Sequence, residues 1–232
     1  MHLFYHPENP INGVIVPLDE EVKHIRATRI REGEHVGCTD GKGNLHTCEL
    51  VTDKKNTALH VLETTTFKEK TPRLMLAVAP TKNQDRLEWL IEKAVEIGVH
   101  AIIPILCEHS EKPFLKSERL QRVAVAAMKQ SEKYFLPRIH ELISFQEVFT
   151  MNMAQKFIAH CAVDSSKKHL NSVLELGKDA LICIGPEGDF STREIETAKQ
   201  NGFIAVSLGE ERLRTETAGM VATTVFQMKQ LL

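Results

Sequence analysis

From residue 73 onward, short apolar runs alternate with helical segments, and this alternation constrains the fold more than any other feature of the sequence. The runs RLMLAVAP (73–80), VHAIIPIL (99–106), KFIAHCAV (156–163), DALICIG (179–185) and GFIAVSLG (202–209) are continuously apolar, as is typical of strands covered on both faces. Helical spacing predicts helices at 86–98, 117–133, 191–201 and 215–232. Strands that alternate with helices predict an α/β domain with a mostly parallel sheet.

Two helix ends carry specific signals. Gly98 is the expected stop of the helix over 86–98. Ser191 and Glu194 form a capping-box pattern at the start of the helix over 191–201. In the last helix, the predicted buried stripe is Ala218, Val221, Ala222 and Val225.

Residues 1–70 have a different pattern, with short runs rich in β-branched residues. The runs GVIVPL (13–18), HVGCTDGKGNLHTCELV (35–51) and TALHVLETT (57–65) are typical of strands, and DGKG at Asp40–Gly43 predicts a hairpin turn. One short helix is expected near Glu20–Ile30, and the polar segment KEKTPR (68–73) marks a linker. We therefore expect a small β-barrel or sandwich over residues 1–70 and the α/β domain over residues 71–232.

Composition favours a globular cytoplasmic protein. Of the 232 residues 42% are hydrophobic, yet no apolar run approaches the ~20 residues of a membrane-spanning helix. The first residues, MHLFYHPENP, lack the pattern of a signal peptide. Five cysteines without a CxxC pair indicate free thiols, and Cys161 and Cys183 lie in apolar runs that predict core positions. The histidines show no metal-ligand spacing, so we expect no metal.

The net charge of −2 does not indicate a nucleic-acid-binding protein, so any such contact needs a local basic patch. The segment KHIRATRIR (23–31) is the first candidate. A solvated helix face is the commoner explanation of such a run. The segment alone therefore does not establish an RNA contact.

Two glycine-containing segments, Gly185–Phe190 and Ser207–Ala218, follow consecutive predicted strands. Ligands of such sheets bind beyond the carboxyl ends of the strands. The P-loop and GxGxxG patterns are absent, and Glu187 and Asp189 would repel phosphates. S-adenosylmethionine, which carries a sulfonium, an ammonium and no phosphate, suits these loops better. The alternative is a turn in which the glycines only supply a positive φ.

Several motifs, in this order and spacing, resemble those of one family over essentially the whole chain. IGPEGDFSTRE (184–194) followed by SLGEERLRTETAG (207–219) is similar to the paired C-terminal motifs of the RsmE-type small-subunit ribosomal RNA uridine-N3 methyltransferases, which belong to the SPOUT class. Further similar segments are HIRATRIREGE (24–34), KNQDRLEWLIEKAVEIGV (82–99), HSEKP (109–113) and AMKQSEKYFLP (127–137). The resemblance implies a PUA-like β-barrel that helps to grip RNA, followed by an α/β domain with a C-terminal trefoil knot. It also implies S-adenosylmethionine as cofactor, small-subunit ribosomal RNA or the assembled subunit as partner, and a homodimer.

The resemblance also implies roles for individual residues. The cofactor would bind to Gly185, Pro186, Glu187, Gly188, Leu208, Gly209, Leu213, Thr215 and Ala218. Arg214 would stabilise the uridine anion at N3, or only tie the loop to the helix. Glu216 or Glu187 would accept the N3 proton, or only complement the helix dipole and brace the loop. RNA contacts would come from Lys23, Arg26, Arg29, Lys129 and Lys133.

Some positions depart from the family pattern, and other functions stay open. Asp189 stands where the family often has a third glycine, and Lys129 replaces a glutamate. Trp89 lies among apolar residues at helical spacing, which predicts packing in the core or a dimer interface rather than base stacking. The alternatives are a SPOUT enzyme for another RNA or base position, a noncatalytic RNA-binding ribosome-assembly protein, and a nucleotide-dependent oxidoreductase, although its GxGxxG motif is missing.

Overall fold

The computed structural model describes residues 1–53, 56–111, 115–164 and 166–231. Lys112 and Pro113 of the HSEKP motif, and Leu232 of the last predicted helix, lie outside the described residues. The chain divides into two compact units. The first combines Met1–Glu69 with Val125–Leu136, and the second combines Lys70–Ala124 with Pro137–Leu232. The first unit thus includes a segment far along the chain, which a single boundary near residue 70 does not describe.

The first unit is built on a five-stranded sheet with the order β1-β3-β4-β5-β2. Its pairings are antiparallel except for β1 with β3. Phe4, Ile25 and Leu50 are among the side chains of its core. Its elements are β1 (Leu3–Tyr5), β2 (Val14–Ile15), α1 (Asp19–Thr28), β3 (His35–Thr39), β4 (Asn44–Asp53) and β5 (Asn56–Thr66).

The turn between β3 and β4 is the predicted hairpin. Asp40 Oδ1 accepts hydrogen bonds from the backbone amides of Lys42 (2.7 Å) and Asn44 (3.1 Å). Thr39 on β3 pairs with Leu45 on β4 directly beyond this turn. The side chain of Asp40 therefore fixes the turn and the register of the two strands, and the turn prediction is confirmed.

The second unit is an α/β unit with a wholly parallel sheet, in the order β11-β13-β10-β12-β6-β7-β8, with β9 beside β7. Its strands are β6 (Leu74–Val78), β7 (Ala101–Leu106), β8 (Arg138–Ile139), β9 (Ile143–Ser144), β10 (Gln155–Ala159), β11 (Lys168–His169), β12 (Ala180–Ile184) and β13 (Ile204–Ser207). The helices are α2 (Gln84–Ile97), α4 (Leu170–Val173), α5 (Thr192–Gln200) and α6 (Thr215–Lys229), with a 3₁₀ helix at Phe145–Thr150. Helix α3 (Ser117–Gln130) begins in this unit, and its residues from Val125 onward belong to the first. The predicted α/β class and parallel sheet are confirmed.

The two signals at helix ends are also confirmed. Gly98 follows α2 with φ of 121°, a backbone conformation that L side chains rarely adopt. At α5, the Ser191 hydroxyl accepts a hydrogen bond from the Glu194 amide, and the Glu194 carboxylate accepts one from the Ser191 amide. Glu194 accepts a further hydrogen bond from the amide of Glu108 at 2.9 Å, so the cap also fixes the segment after β7.

The buried face of α6 differs from the predicted stripe. Ala222 is buried as expected, but the other buried positions include Gly219, Thr223 and Phe226. A Cβ atom at Gly219 would lie 2.8 Å from Leu90 Cδ1, so the absence of a side chain brings α6 close to α2. The Thr223 hydroxyl donates to the Gly219 carbonyl at 2.8 Å, so a polar residue is accommodated in the core.

Cys161 is exposed, so its predicted core position is wrong. The apolar run continues past the end of β10 at Ala159, and Cys161 lies in the loop beyond it. Cys183 is buried in β12 as predicted, and all five cysteines are free thiols. Within the described parts of the chain, none of the helices has the length and apolar character needed to span a membrane.

Candidate active site

A cavity of about 690 Å³ opens in the second unit at the carboxyl ends of three neighbouring strands. Ala159 of β10, Ile184 of β12 and Ser207 of β13 lie in its wall. This is the edge at which parallel sheets bind their ligands, and the volume is in the range of small-molecule sites. The two predicted glycine loops meet here, together with Arg86 of α2 and the first turn of α6.

The first loop turns sharply after β12. A Cβ atom at Gly185 would lie 3.0 Å from the Phe190 ring, so glycine permits the close return of the chain. The positive φ falls on Asp189, at 66°, rather than on Gly185 or Gly188. Asp189 Oδ2 accepts a hydrogen bond from the Cys161 amide at 2.8 Å. The loop is thereby attached to the segment after β10, and the predicted role of its glycines in supplying positive φ is wrong.

Glu187 and Gly188 contact other segments of the second unit. The carboxylate of Glu187 accepts a hydrogen bond from the Lys82 amide at 3.0 Å, which braces the loop against the start of α2. The side chain of Glu187 also lies in the cavity wall. Gly188 packs against His109, where an added Cβ would lie 3.1 Å from His109 Cβ. The structure thus supports the bracing role of Glu187, while cofactor contacts from either residue stay a prediction.

The second loop runs from β13 to α6 and supplies much of the cavity wall. Gly209 has φ of 149° and no atom within 4 Å of a Cβ built on it, so its backbone conformation, not the available space, favours glycine. The buried Thr215 hydroxyl donates to the Gly185 carbonyl oxygen at 3.0 Å and joins the two loops. Leu208, Leu213 and Ala218 also line the cavity, as do Gly185 and Pro186.

The two remaining catalytic candidates occupy different surroundings. Arg214 is the exposed residue before α6, and its side chain lines the cavity without an ion pair to another described residue. Glu216 is 8% exposed and lies outside this cavity wall. Its Oε1 lies 3.8 Å from Arg86 Nε, and its Oε2 has no hydrogen-bond partner among the described residues. The two candidates therefore do not share one pocket, although a single residue, Thr215, separates them in the sequence.

His160 is a site residue that the sequence reasoning missed. It directly follows β10, lines the cavity and is 6% exposed. Neither ring nitrogen has a hydrogen-bond partner among the described residues. Burial, followed by the charge of Lys167, lowers the pKa of His160 from its ordinary 6.5. Its place after an apolar strand was the available signal, because strand ends face the ligand in this fold.

The predicted RNA-binding residues all lie in the first unit. Lys23 and Arg26 project from α1 and Arg29 follows it, and all three are exposed. Lys129 instead pairs with the buried carboxylate of Glu21 at 2.5 Å, with 16% of its side chain exposed. This pair favours a structural role for Lys129 and argues against its predicted RNA contact. Lys133 is partly exposed.

The residues of the cavity fit a ligand that carries both positive and negative charge. Its wall contains carboxylates, a lysine and guanidinium groups, in addition to main-chain groups at the strand ends. These charged residues are Glu187, Asp189, Glu210 and Glu211, and Arg86, Lys167, Arg212 and Arg214. S-adenosylmethionine presents a sulfonium, an ammonium and a carboxylate, which match such a mixed wall. His160 adds a buried donor and acceptor that still lack partners. Among the described residues, no cluster suited to a metal ion is found.

Two protein-family models match the chain. The model described as an RNA methyltransferase domain matches residues 68–227, and that described as an RNA methyltransferase PUA domain matches residues 18–62. The first match covers the parallel sheet and the cavity, and the second covers α1 and the antiparallel strands that follow it.

Individual relatives match over nearly the full length. Ribosomal RNA small subunit methyltransferase E of Bacillus subtilis is 32% identical over 88% of this chain and 85% of its own length. A probable rRNA-methyltransferase from Porphyromonas gingivalis has a crystal structure with a TM-score of 0.90 and 38% identity, covering 100% of this chain and 99% of that one. The Neisseria gonorrhoeae ribosomal RNA small subunit methyltransferase E, whose structure has S-adenosyl methionine bound, gives a TM-score of 0.86 and 28% identity, covering 98% and 97%. The family resemblance of the sequence motifs is thus confirmed, and the chain belongs to the ribosomal RNA small subunit methyltransferase E family of RNA methyltransferases.

Proposed function

We propose that the protein is an S-adenosylmethionine-dependent methyltransferase that modifies N3 of a uridine in small-subunit ribosomal RNA. The observation that carries the proposal is the cavity formed by two joined glycine loops at the strand ends, in a chain of this family. The Neisseria gonorrhoeae relative with bound S-adenosyl methionine covers nearly the whole chain, which supports the same cofactor here.

The two glycine loops would hold the cofactor. Pro186 and Leu208 give the cavity apolar wall, and the main chain at Gly185 and Gly209 offers polar groups without side chains in the way. His160 is positioned to supply one donor and one acceptor to the ligand. When bound, the cofactor supplies a methyl group on a positively charged sulfur. The carboxylates in the wall favour that charge.

Arg214 would serve the acceptor base. Attack by uridine N3 requires that N3 lose its proton, which leaves negative charge on the ring oxygens. A guanidinium in the cavity wall stabilises that charge without becoming deprotonated. Since Arg214 has no ion pair within the described part of the chain, its side chain is available for this contact.

The trefoil knot, the homodimer and the cytoplasmic location belong to the same proposal. The strand order supports the knot, because β10 lies between β12 and β13 in the sheet. The chain between β12 and β13 must therefore cross back over β10. The Thr215–Gly185 hydrogen bond then joins two loops on either side of that crossing. Exposed Met228 and Leu231 near the end of α6 offer apolar surface to a second copy. The proposed ribosomal RNA substrate supports a cytoplasmic location.

The activity is tested with labelled S-adenosylmethionine on naked small-subunit RNA and on assembled small subunits, followed by mass spectrometry of the nucleosides. We expect 3-methyluridine from at least one of the two substrates. A methylated product at another atom would point to a SPOUT enzyme of different specificity. Cofactor binding without any product would favour a noncatalytic RNA-binding protein. Binding of a nicotinamide dinucleotide but not of S-adenosylmethionine, by calorimetry, would reject the proposal.

A further inference from the structure

A second cavity, of about 280 Å³, lies on the other side of the first turn of α6. It is lined by Asp85, Arg86 and Trp89 of α2 and by Glu216 and Thr217 of α6. Water occupies about 30 Å³ per molecule, so this volume has room for roughly nine waters or a single pyrimidine base. Trp89 is 39% exposed, so it is not a core residue and its ring is accessible at the cavity wall.

The second cavity adjoins the cofactor cavity. Arg86 lines both of them. Along α6, Thr215 and Ala218 face the first cavity, while Glu216 and Thr217 between them face the second. Arg86 is therefore the point at which the two cavities adjoin, since the two pairs of α6 residues face opposite sides of the helix. Methyl transfer requires donor and acceptor atoms to meet, so the reactive edge of a bound base must point toward Arg86.

Glu216 and Arg86 keep hydrogen-bonding capacity toward this cavity. The Glu216 residue is 8% exposed, and its Oε2 atom is buried without a partner among the described residues. The separation of 3.8 Å between Glu216 Oε1 and Arg86 Nε is too long for a hydrogen bond. A buried carboxylate oxygen left unpaired is unfavourable, so a ligand that donates a hydrogen bond to Oε2 would be stabilised there.

We propose that this second cavity binds the target base, with Trp89 stacking on the ring while Glu216 and Arg86 bind the imide edge of uracil. The inference rests on the proposed function and assigns its substrate subsite. In uracil, N3–H is a donor flanked by two carbonyl acceptors. The Glu216 carboxylate accepts from N3–H, and the Arg86 guanidinium donates to one flanking carbonyl. The other carbonyl is left for Arg214, which lines the adjoining cofactor cavity. Stacking on Trp89 requires an unpaired base, which matches how proteins read single-stranded RNA.

The same pair of side chains disfavours cytosine as a substrate. Cytosine N3 carries a lone pair and no proton, so a carboxylate facing N3 is repelled. Cytosine satisfies both side chains only if its amino group donates to Glu216 and its N3 accepts from Arg86. That position directs the N3 lone pair at the guanidinium and blocks methylation. The pair thus selects the base by its reactive edge.

In the methyl transfer, Glu216 accepts the proton that N3 loses. The N3–H proton moves to Glu216 Oε2, and the N3 electron pair forms the bond to the methyl carbon. The bond between that carbon and the sulfonium sulfur breaks, and its electron pair stays on the sulfur as a neutral thioether. The products are 3-methyluridine, S-adenosylhomocysteine and a protonated Glu216, which later releases its proton to water.

The test compares Trp89→Ala, Trp89→Phe and Glu216→Gln in the full-length protein with a matched control, Lys93→Ala. Lys93 is a basic residue of the same helix that pairs with Glu92 and Glu96 and lines neither cavity. The substrate is the ribosomal RNA that the wild-type protein methylates, transcribed with uridine or with 5-fluorouridine. Fluorine at C5 acidifies N3–H, so the reaction depends less on a protein base. S-adenosylmethionine affinity is measured by calorimetry, oligomeric state by light scattering, and kcat and KM for RNA from methyl incorporation.

The proposal predicts a separate effect for each residue. Trp89→Ala raises the KM for RNA by about tenfold and Trp89→Phe by less, as expected for base stacking on an aromatic ring. Glu216→Gln lowers kcat on uridine RNA by about 100-fold, the scale of a lost general base, and this deficit shrinks on 5-fluorouridine RNA. All variants bind S-adenosylmethionine with wild-type affinity, and Lys93→Ala matches the wild type throughout.

Three results would overturn the proposal. The first concerns Trp89→Ala: its KM for RNA stays at the wild-type value, or the variant dissociates into monomers that regain activity at high protein concentration. Such dissociation would make Trp89 an interface residue. The deficit of Glu216→Gln is the same on both RNAs, which makes Glu216 a brace for Arg86. A wild-type protein that methylates no RNA contradicts the proposed function itself, and this result differs from the other two because it appears before any variant is made.

Discussion

The hydroxyl of Thr215 donates a hydrogen bond to the carbonyl oxygen of Gly185 over 3.0 Å, in a buried position. Gly185 follows β12 and Thr215 begins α6, so this contact links two segments that are thirty residues apart in the chain. It joins the loops on both sides of the cofactor cavity into one wall. The Thr215 hydroxyl is therefore one of the contacts that set the shape of that cavity.

Replacing Thr215 with valine should weaken the protein and its cofactor site together. The change keeps the shape of the side chain but leaves a buried carbonyl oxygen without its donor, which costs about 1–3 kcal/mol. We expect this loss in the free energy of unfolding from urea titration, with weaker S-adenosylmethionine binding by calorimetry. Thr215→Ser retains the donor and is the control. Wild-type affinity in the valine variant would show that the loops keep their positions without this bond.

Replacing Arg214 with alanine should lower turnover more than cofactor affinity. The guanidinium is expected to stabilise charge on the base that is present only during the reaction, so its loss lowers kcat by roughly 100-fold. Arg193→Ala, an exposed arginine of α5 outside the cavity wall, is the control. The measurements are methyl incorporation into RNA and calorimetry with S-adenosylmethionine. A large loss of cofactor affinity would instead make Arg214 a cofactor-binding residue.

The pH dependence of stability should report on His160. Its pKa in the folded protein lies below the ordinary 6.5, mainly because of burial, so the unfolded chain binds more protons between the two values. The contribution of neutral His160 to the free energy of unfolding is therefore fully present above about pH 6.5. It is lost as the pH falls through the pKa of His160 in the folded protein.

His160→Phe removes this titration, so its free energy of unfolding should fall less steeply than that of the wild type below pH 6.5. Urea titrations on both sides of that pH measure the difference. The pKa values of His46 and His140 are also lowered, by burial first, and these residues are unchanged in the variant. Their contributions to the pH dependence are therefore the same in both proteins and cancel in the comparison. Parallel pH profiles would show that His160 does not titrate differently on folding.

The ion pair of Glu21 and Lys129 should be structural. Both side chains are mostly buried in the first unit, so removal of one partner leaves a charge without compensation. Glu21→Ala should lower the free energy of unfolding by about 3–5 kcal/mol in urea titrations. Because two apolar side chains of similar volume replace such a pair at little cost, Glu21→Leu combined with Lys129→Met should recover most of the loss. A double variant as unstable as Glu21→Ala alone would contradict this explanation.

The regular elements were predictable where short-range chemistry decides them. β6 and β12 are continuous apolar runs because both faces of the sheet are covered. The cap of α5 uses Ser191 and Glu194, which are three residues apart and form their bonds within the turn itself. In contrast, β8 and β11 have two residues each, so their conformation comes from the neighbouring strand rather than from their own sequence.

The site was predictable only in part, because it combines distant segments. The glycine loops have recognisable motifs, and most of their predicted residues line the cavity. His160 lies in no quoted motif, and the motif around Arg86 does not reveal a cavity contact; their positions in the wall follow only from where α2 begins and β10 ends in the fold. The ion pair of Lys129 could not be predicted, because its partner Glu21 is 108 residues away in sequence. Likewise, the apolar run around Cys161 does not reveal where its strand stops.

The basic face of α1 should bind RNA through its phosphates rather than its bases. Arg26 is exposed on that helix and has no ion pair with another described residue, so its charge is available to a backbone phosphate. Each such contact releases counterions, so Arg26→Ala should reduce the slope of log K against log salt by about 1. Affinity should fall similarly for all RNA sequences, and cofactor binding should not change.

Arg122→Ala, an exposed arginine of α3 in the second unit, is the control. RNA binding measured by fluorescence anisotropy across a salt series gives both slopes. Equal slopes for wild type and Arg26→Ala would mean that α1 is a solvated helix face.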